Sequence, residues 1–302
     1  MSYQPDATVQ DAEETTMKNF SARVRYGMKT ACTVLVVLGL AATGMAPVSA
    51  TPPSSDKDRL GNDVSWPQCN KDLPAPQAFA IVGVTGGLAN NTNPCLEDQL
   101  IWAAGATGRS SQPAVALYVN TANPGHEGSW WPASDIYPLE GGVEVPNPYG
   151  DCRAPSGEPE GPVNLECSYI YGYAKAYDDA YIRNVPNPET YFWWLDVETG
   201  NSWQTGADNS TALNRATLEG MVKYFKDNTA GVGIYSTSSQ WKTIAGTVPS
   251  GSPLTALPSW LAGAKTLRGA KSNCSLPGLT PGSPVTVTQY VSAGLDYDYS
   301  CK

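Results

Sequence analysis

Two carboxylates stand two residues apart behind a run of apolar and aromatic side chains, Asp196 and Glu198 in "YFWWLDVETG" (191–200). On an extended strand, residues i and i+2 project to one side, so the two acids share a face and Val197 takes the other. If Thr199 and Gly200 open the following loop, the pair sits at the C-terminal rim of its strand, where barrel enzymes keep their chemistry. Two carboxyls crowded in a partly dry site do not both ionise freely, so one keeps its proton near neutrality while the other is an anion. A proton donor beside an anion is the division of labour that glycoside hydrolysis needs. Acids at a strand end also cap helices or pair with surface cations, so spacing alone leaves a structural role open.

Other residue types remove competing chemistries. His126 is the only histidine and lies in the Gly/Pro-rich loop "NPGHEGSWWP", where a solvated role is expected. That disfavours a Ser-His-Asp hydrolase, a Cys-His protease and a His-rich metal site together. No C-x-x-C spacing suggests zinc or redox chemistry, and no cofactor is expected. Residues 1–50 hold four basic and four acidic side chains, so the net charge of -9 belongs to the remainder and repels a phosphate-rich nucleic-acid partner.

The elements that must position the acids are short apolar runs bounded by Gly, Pro or Asn, at 61–66, 79–84, 114–119, 191–197, 231–236, 258–263 and 285–291. They read as buried, mostly parallel strands. Helical periods lie between several of them: 96–106, 168–184 (stopped by Pro186) and 210–228, the last with Asp208 or Asn209 as N-cap. This βα alternation predicts an α/β fold, a single modified TIM-like (β/α) barrel. Little helix is expected after Pro258, hence an incomplete barrel. An open doubly wound sheet is the alternative, but no G-x-G-x-x-G follows the first strand. A long Pro/Gly/acidic insertion at about 120–166 follows a strand end and is expected to wall the active face.

The N-terminal part reads as an export signal. Lys18, Arg23, Arg25 and Lys29 precede an apolar run from Thr30 to Ala46, then "VSA" ends at Ala50. The true start is possibly Met17 or Met28, residues 51–60 read as a linker, and 61–302 as the barrel domain. A run of about 17 apolar residues is marginal for a span, so cleavage, a secreted or wall-associated product and no stable membrane insertion are expected. Loss of Cys32 with the signal leaves six cysteines, which allow 15 connectivities. Pairing sequence neighbours, Cys69–Cys95, Cys152–Cys167 and Cys274–Cys301, staples three local excursions.

Several motifs, in order, make the chain similar to the family 25 glycoside hydrolases, the Chalaropsis-type lysozymes that cut peptidoglycan. "GNDVSWPQ" resembles that family's G-I-D-V-S-x-W-Q, "FAIVGVTGG" its F-V-I-I-K-A-T-E-G, and "LDVE" at 195–198 its L-D-V-E. "GIYS", "WLA", and Gln289–Tyr290 with "LDYD" at 295–298 look like its later landmarks. The resemblance covers 61–302 and implies five βα units plus three closing strands. It also implies Glu198 as general acid, Asp196 as the neighbour that tunes it or positions an N-acetyl group, and Asp63 and Asp296 as further carboxylates around the sugar. The implied activity is N-acetylmuramidase-like cleavage of β-1,4 bonds, with peptidoglycan or a related polysaccharide as partner. Gly83 and Gly86 replace the family's Lys and Glu, and "YVNTAN" (118–123) replaces an aromatic-His segment. A barrel that binds cell wall or carbohydrate without turnover is therefore the alternative; a wall amidase or peptidase is more distant.

Nine Trp, 16 Tyr and only four Phe favour rings with polar edges, suited to sugar faces. Trp66, Tyr118, Tyr235, Trp260 and Tyr290 fall at or beside rim positions and, with Gln289, are the candidate substrate-binding residues. Trp193 and Trp194 alternate across their strand and are expected in the core.

Overall fold

The structure is a computed structural model that describes residues 55–302. The export signal read at 1–50, with its alternative starts, and the first part of the 51–60 linker lie outside the described residues. The rest of that linker is a helical turn at Asp56–Arg59 leading directly into the first strand.

Eight strands close into one barrel: β1 (Leu60–Val64), β2 (Phe79–Gly83), β3 (Val115–Asn120), β6 (Phe192–Asp196), β7 (Gly231–Ser236), β8 (Ser259–Ala264), β9 (Val285–Ser292) and β10 (Leu295–Ser300). Around the barrel they run β1-β10-β9-β8-β7-β6-β3-β2. β10 is antiparallel to both of its neighbours, and every other pairing is parallel. Five helices follow β2, β3, β6, β7 and β8 in turn: α1 (Leu96–Ala103), α2 (Leu165–Tyr177), α3 (Ser210–Asn228), α4 (Ser238–Ile244) and α5 (Leu267–Asn273). This gives five βα units with β1, β9 and β10 as the remaining strands.

The alternation of side chains explains why the strands are apolar on both faces. Phe79, Ile81, Ala116, Trp194, Trp260 and Val287 fill the lumen. Their neighbours in sequence, including Ala80, Val82, Leu117, Trp193 and Leu195, pack outward against the helices. Trp193 stacks on Phe225 of α3 at 4.7 Å between ring centroids, whereas Trp194 meets Trp260 inside at 5.8 Å.

The last third is helix-poor as expected, and the barrel closes because the chain after Leu295 is a strand bridging β9 and β1. Its pattern, Leu-Asp-Tyr-Asp-Tyr-Ser, is inverted: Asp296 and Asp298 lie on one face, while Tyr297 and Tyr299 on the other pack with Tyr290 and Ala270 of α5. α4 and α5 are two-turn helices too short for a hydrophobic period to reveal. α3 begins as expected, but its N-cap Asn209 makes no side-chain capping bond. α2 starts earlier than expected, with Asn164 accepting a hydrogen bond from the Cys167 amide, and ends in a π-helical turn at Asp178–Ile182.

The insertion carries its own small core. A two-stranded hairpin, β4 (Ile136–Tyr137) and β5 (Val143–Glu144), lies beside a cluster of Trp131, Val145, Tyr169, Ile170 and Tyr171 around the Cys152–Cys167 disulfide. Lys175 of α2 sits 5.4 Å from the Trp130 ring centre and 5.6 Å from that of Tyr171, tying insertion to helix through its charge. His126 is anchored there rather than simply solvated: its Nε2 lies 2.7 Å from the Gly161 carbonyl and its ring meets Trp131 edge-on. The other disulfides are Cys69–Cys95 and Cys274–Cys301. Among the described residues no helix is long and apolar enough to cross a membrane.

Candidate active site

At the mouth where the parallel strands end, a cleft of about 310 Å³ is lined by acids, amides and aromatic rings, without a lysine, arginine or histidine. β1 contributes Asp63, β6 Asp196 and the loop after it Glu198, and β10, running the other way, contributes Asp296. Register explains the convergence: Asp63 pairs with Asp296 across β1–β10, and Asp196 pairs with Asn120 of β3 on one side and Tyr235 of β7 on the other. Val197 is fully buried and its amide bonds the Tyr235 carbonyl at 3.0 Å. The strand course thus continues past Asp196 and puts Glu198 on the same side.

The four acids differ in surroundings. Asp196 is buried, with Oδ2 accepting from Asn120 Nδ2 at 2.5 Å and Oδ1 without a partner. Burial, then the charges of Glu198 and Asp63, hold its carboxyl well above the usual range against the opposing Asn120 bond. Asp63 is also buried and is pushed up to about 7, first by burial and then by Asp296, while hydrogen bonds from Gln289 and Asp298 act in the other direction. Asp296 is half-buried and raised by burial and by Glu198, with Lys71 opposing. Glu198, beside Asp196, is half-buried as well; its Oε1 accepts from Gln240 Nε2 at 3.2 Å.

Supporting bonds fix these side chains. Gln289 donates from Nε2 to Asp63 Oδ2 at 3.0 Å and accepts at Oε1 from the Tyr235 hydroxyl at 2.9 Å. Asn120 is oriented by Thr85, whose hydroxyl donates to Asn120 Oδ1 and accepts from its backbone amide, both at 2.8 Å. That arrangement leaves the Asn120 amide nitrogen to face Asp196. The loop after Glu198 is pinned by Gln240 of α4, which accepts from the Thr199 amide and hydroxyl, and by Trp203 Nε1 donating to the Glu198 carbonyl. Burial and the surrounding acids push the Tyr118 and Tyr235 phenols far up, so both remain neutral hydroxyls.

Of the candidate binding residues, Trp66 is a 49 % exposed lip, Tyr118, Tyr235 and Gln289 line the walls, and Trp260 lies on the floor at 1 % exposure. Tyr290 is a correction. It neighbours the inward-facing Gln289, so alternation turns it outward, where it stacks on Tyr297 at 5.4 Å away from the cleft. The insertion contributes only its first residue, Asn120, to the acid cleft. Its remaining wall residues, among them Pro124, His126 and Glu127, border two neighbouring clefts. A larger cleft of about 660 Å³ lies beside α1, between Ile101 and Pro186, away from the acids; size does not select the site.

Asn120, Thr85, Gln240 and Asp298 were not among the sequence candidates. Counting two residues on from Tyr118 reaches Asn120, and two on from Asp296 reaches Asp298, so alternation carried a signal for both. Thr85 and Gln240 carry none, because loop and helix placement brings them in. Gly83, where the resembled family has Lys, faces Tyr118: a Cβ there would lie 2.6 Å from both Ser65 Cβ and Tyr118 Cζ. The tyrosine ring occupies the space that a longer side chain would need.

No protein-family model and no curated protein matches the chain. It is similar to three solved structures: a muramidase from Trichobolus zukalii (14% identity, TM-score 0.42), a bacterial lysozyme from Streptomyces coelicolor (19%, 0.43) and a family GH25 lysozyme from Aspergillus fumigatus (14%, 0.44). Each alignment covers 80% of this chain, and 93%, 91% and 93% of the other chain respectively. At such identities and TM-scores, the chemistry of the cleft rests on its own residues.

Proposed function

We propose that the protein is an exported glycoside hydrolase that cuts β-1,4 bonds in the glycan strands of peptidoglycan, in the manner of an N-acetylmuramidase. One observation carries this reading: the half-buried Glu198 and the buried Asp196 stand side by side in an aromatic-walled cleft lined by no cation. Glu198 is the carboxyl that reaches a bound sugar, and it delivers a proton to the leaving glycosidic oxygen. Asp196, neutral through burial, uses its unpartnered Oδ1 edge toward the acetamido group of the substrate. Asp63 and Asp296, paired across β1 and β10, supply negative charge opposite the oxocarbenium-like centre. Trp66 offers a face for sugar stacking, and the Tyr118 and Tyr235 hydroxyls offer donors. Residues 1–50 as a cleaved signal, 61–302 as one catalytic barrel, and the three disulfides fit an oxidising exterior.

Release of new reducing ends from purified peptidoglycan tests the reading, and the sugar at the new end separates muramidase from glucosaminidase. Glu198→Gln is expected to lower release by roughly 10²–10⁴-fold with an unchanged circular dichroism spectrum; full activity in that variant refutes the role. The Tyr118-filled space at Gly83 favours the second reading, a wall-binding barrel without turnover. Wild type that sediments with cell wall and releases no reducing ends supports it.

A further inference from the structure

Beneath the four acids lies a fifth that the proposed reaction does not use. Asp298 is two residues below Asp296 on β10, on the same inward face, opposite Gly61 of β1 and Gln289 of β9. It is fully buried, and neither carboxyl oxygen receives a donor from the protein. The Trp260 indole N–H lies beside it without closing a hydrogen bond. The charged or titratable groups acting on it are Asp63 of β1 and Asp296 of its own strand, and no cation is among them. Across β1–β10 Asp63, which pairs with Asp296, is the diagonal neighbour of Asp298 on the same inward face, and each carboxyl acts on the other.

Two ionised carboxylates do not face one another in a dry interior, since the cost of burying each charge adds to their repulsion. One of the pair must carry a proton, and the geometry says which. Asp63 already accepts from Gln289 at 3.0 Å, a bond that favours its anion. Asp298 has only the Trp260 N–H nearby, which closes no hydrogen bond to it, so the proton resides there, and a protonated carboxyl becomes a donor itself.

We propose that Asp298 is a proton-bearing positioning residue whose carboxylic acid donates a hydrogen bond to the Asp63 carboxylate, holding that group ionised and aimed into the cleft. The value of this for catalysis rests on the hydrolase reading above; the proton itself does not. Burial, then the charge of Asp63, pushes the Asp298 carboxyl well up, in the direction the geometry requires. The bond lowers the Asp63 carboxyl from the still higher position that burial alone would give it.

The test is a carbon-13 NMR titration of the aspartate side-chain carboxyls in the intact protein, which needs no activity. Asp298 is expected to stay protonated through neutral pH, while Asp63 titrates near 7. Asp298→Asn keeps a neutral donor and leaves the Asp63 midpoint within about half a unit, whereas Asp298→Leu raises it by about one unit. In wall-cleavage assays the acidic limb of the pH profile moves up in the Leu variant and stays put in the Asn variant. A wild-type Asp298 that is ionised at neutral pH overturns the proposal. So does an Asn variant in which the Asp63 midpoint falls by about one unit, the result of removing a negative neighbour. A folded Leu variant with an unmoved Asp63 overturns it too; if that variant does not fold, wild type and the Asn variant decide. A protonated Asp298 in a protein that cleaves no wall sinks the hydrolase reading alone, and cleavage with an ionised Asp298 sinks the proton pair alone.

Discussion

Asn120 holds one end of the acid pair through a chain of single bonds, with Thr85 fixing its oxygen and Asp196 receiving its nitrogen. Removing that donor leaves a buried carboxyl with no hydrogen bond at all, since Asp196 Oδ1 has none. Leaving a buried acceptor without its donor costs about 1–3 kcal/mol, which as a barrier change is roughly one to two orders of magnitude in rate. Asn120→Ala is therefore expected to slow wall cleavage by about 10- to 100-fold while the barrel stays folded, as read by reducing-end release and thermal midpoint together. Asn120→Asp is expected to lose more, because it adds a carboxylate to a site that has no cation. Equal activity in all three proteins would show that Asn120 does not set the state of Asp196.

At the scale of elements, the closeness of α2 to α3 rests on two glycines. A Cβ on Gly172 would stand 1.8 Å from the Thr217 carbonyl oxygen, and one on Gly220 would stand 2.0 Å from that of Tyr169. The obstacles are backbone atoms, so relief requires moving a helix rather than a side chain. Alanine raises helix propensity by about 1 kcal/mol over glycine, but forcing extra volume into a packed contact costs about 1–3 kcal/mol or more, and here the clash wins. Gly220→Ala is expected to lower the urea midpoint, as is Gly172→Ala, with a double variant less than additive because both open the same gap. α2 also supports the insertion through Lys175, Tyr169 and Tyr171, whereas the acids stand on strands. Stability is thus expected to fall more than activity per folded molecule.

For the whole molecule, the acid cluster sets a pH dependence of stability. Asp63 is raised from an ordinary 3.8 to about 7, and Asp196 and Asp298 are raised as well. As pH increases, the unfolded chain releases these protons first, so stability falls with pH across the interval between the two values. The contribution from Asp63 is fully present below 3.8 and is lost as pH rises through about 7. Thermal midpoints are expected to fall between about pH 4 and about pH 7, with Asp63→Asn flattening that slope. A midpoint that rises over the same interval, with the slope unchanged in the variant, would mean that the fold does not raise the Asp63 carboxyl.

The sequence by itself determined the strands of the barrel wall and the pair at its rim. Apolar runs broken by Gly and Pro predicted seven of the eight barrel strands, and strand periodicity placed Asp196 and Glu198 on one face whatever lay around them. It did not reveal β10, where inward aspartates and outward tyrosines invert the usual pattern, nor did it turn Tyr290 away from the cleft. Those outcomes belong to the tertiary structure. Closure decides which face of a strand is the lumen, and register decides which carboxylates meet: Asp63 opposite Asp296, Asn120 beside Asp196, and Asp298 buried under both. The contacts span up to 235 residues of chain, from Asp63 to Asp298, and local propensity carries no information over such distances because pairing energy exists only once the barrel has closed.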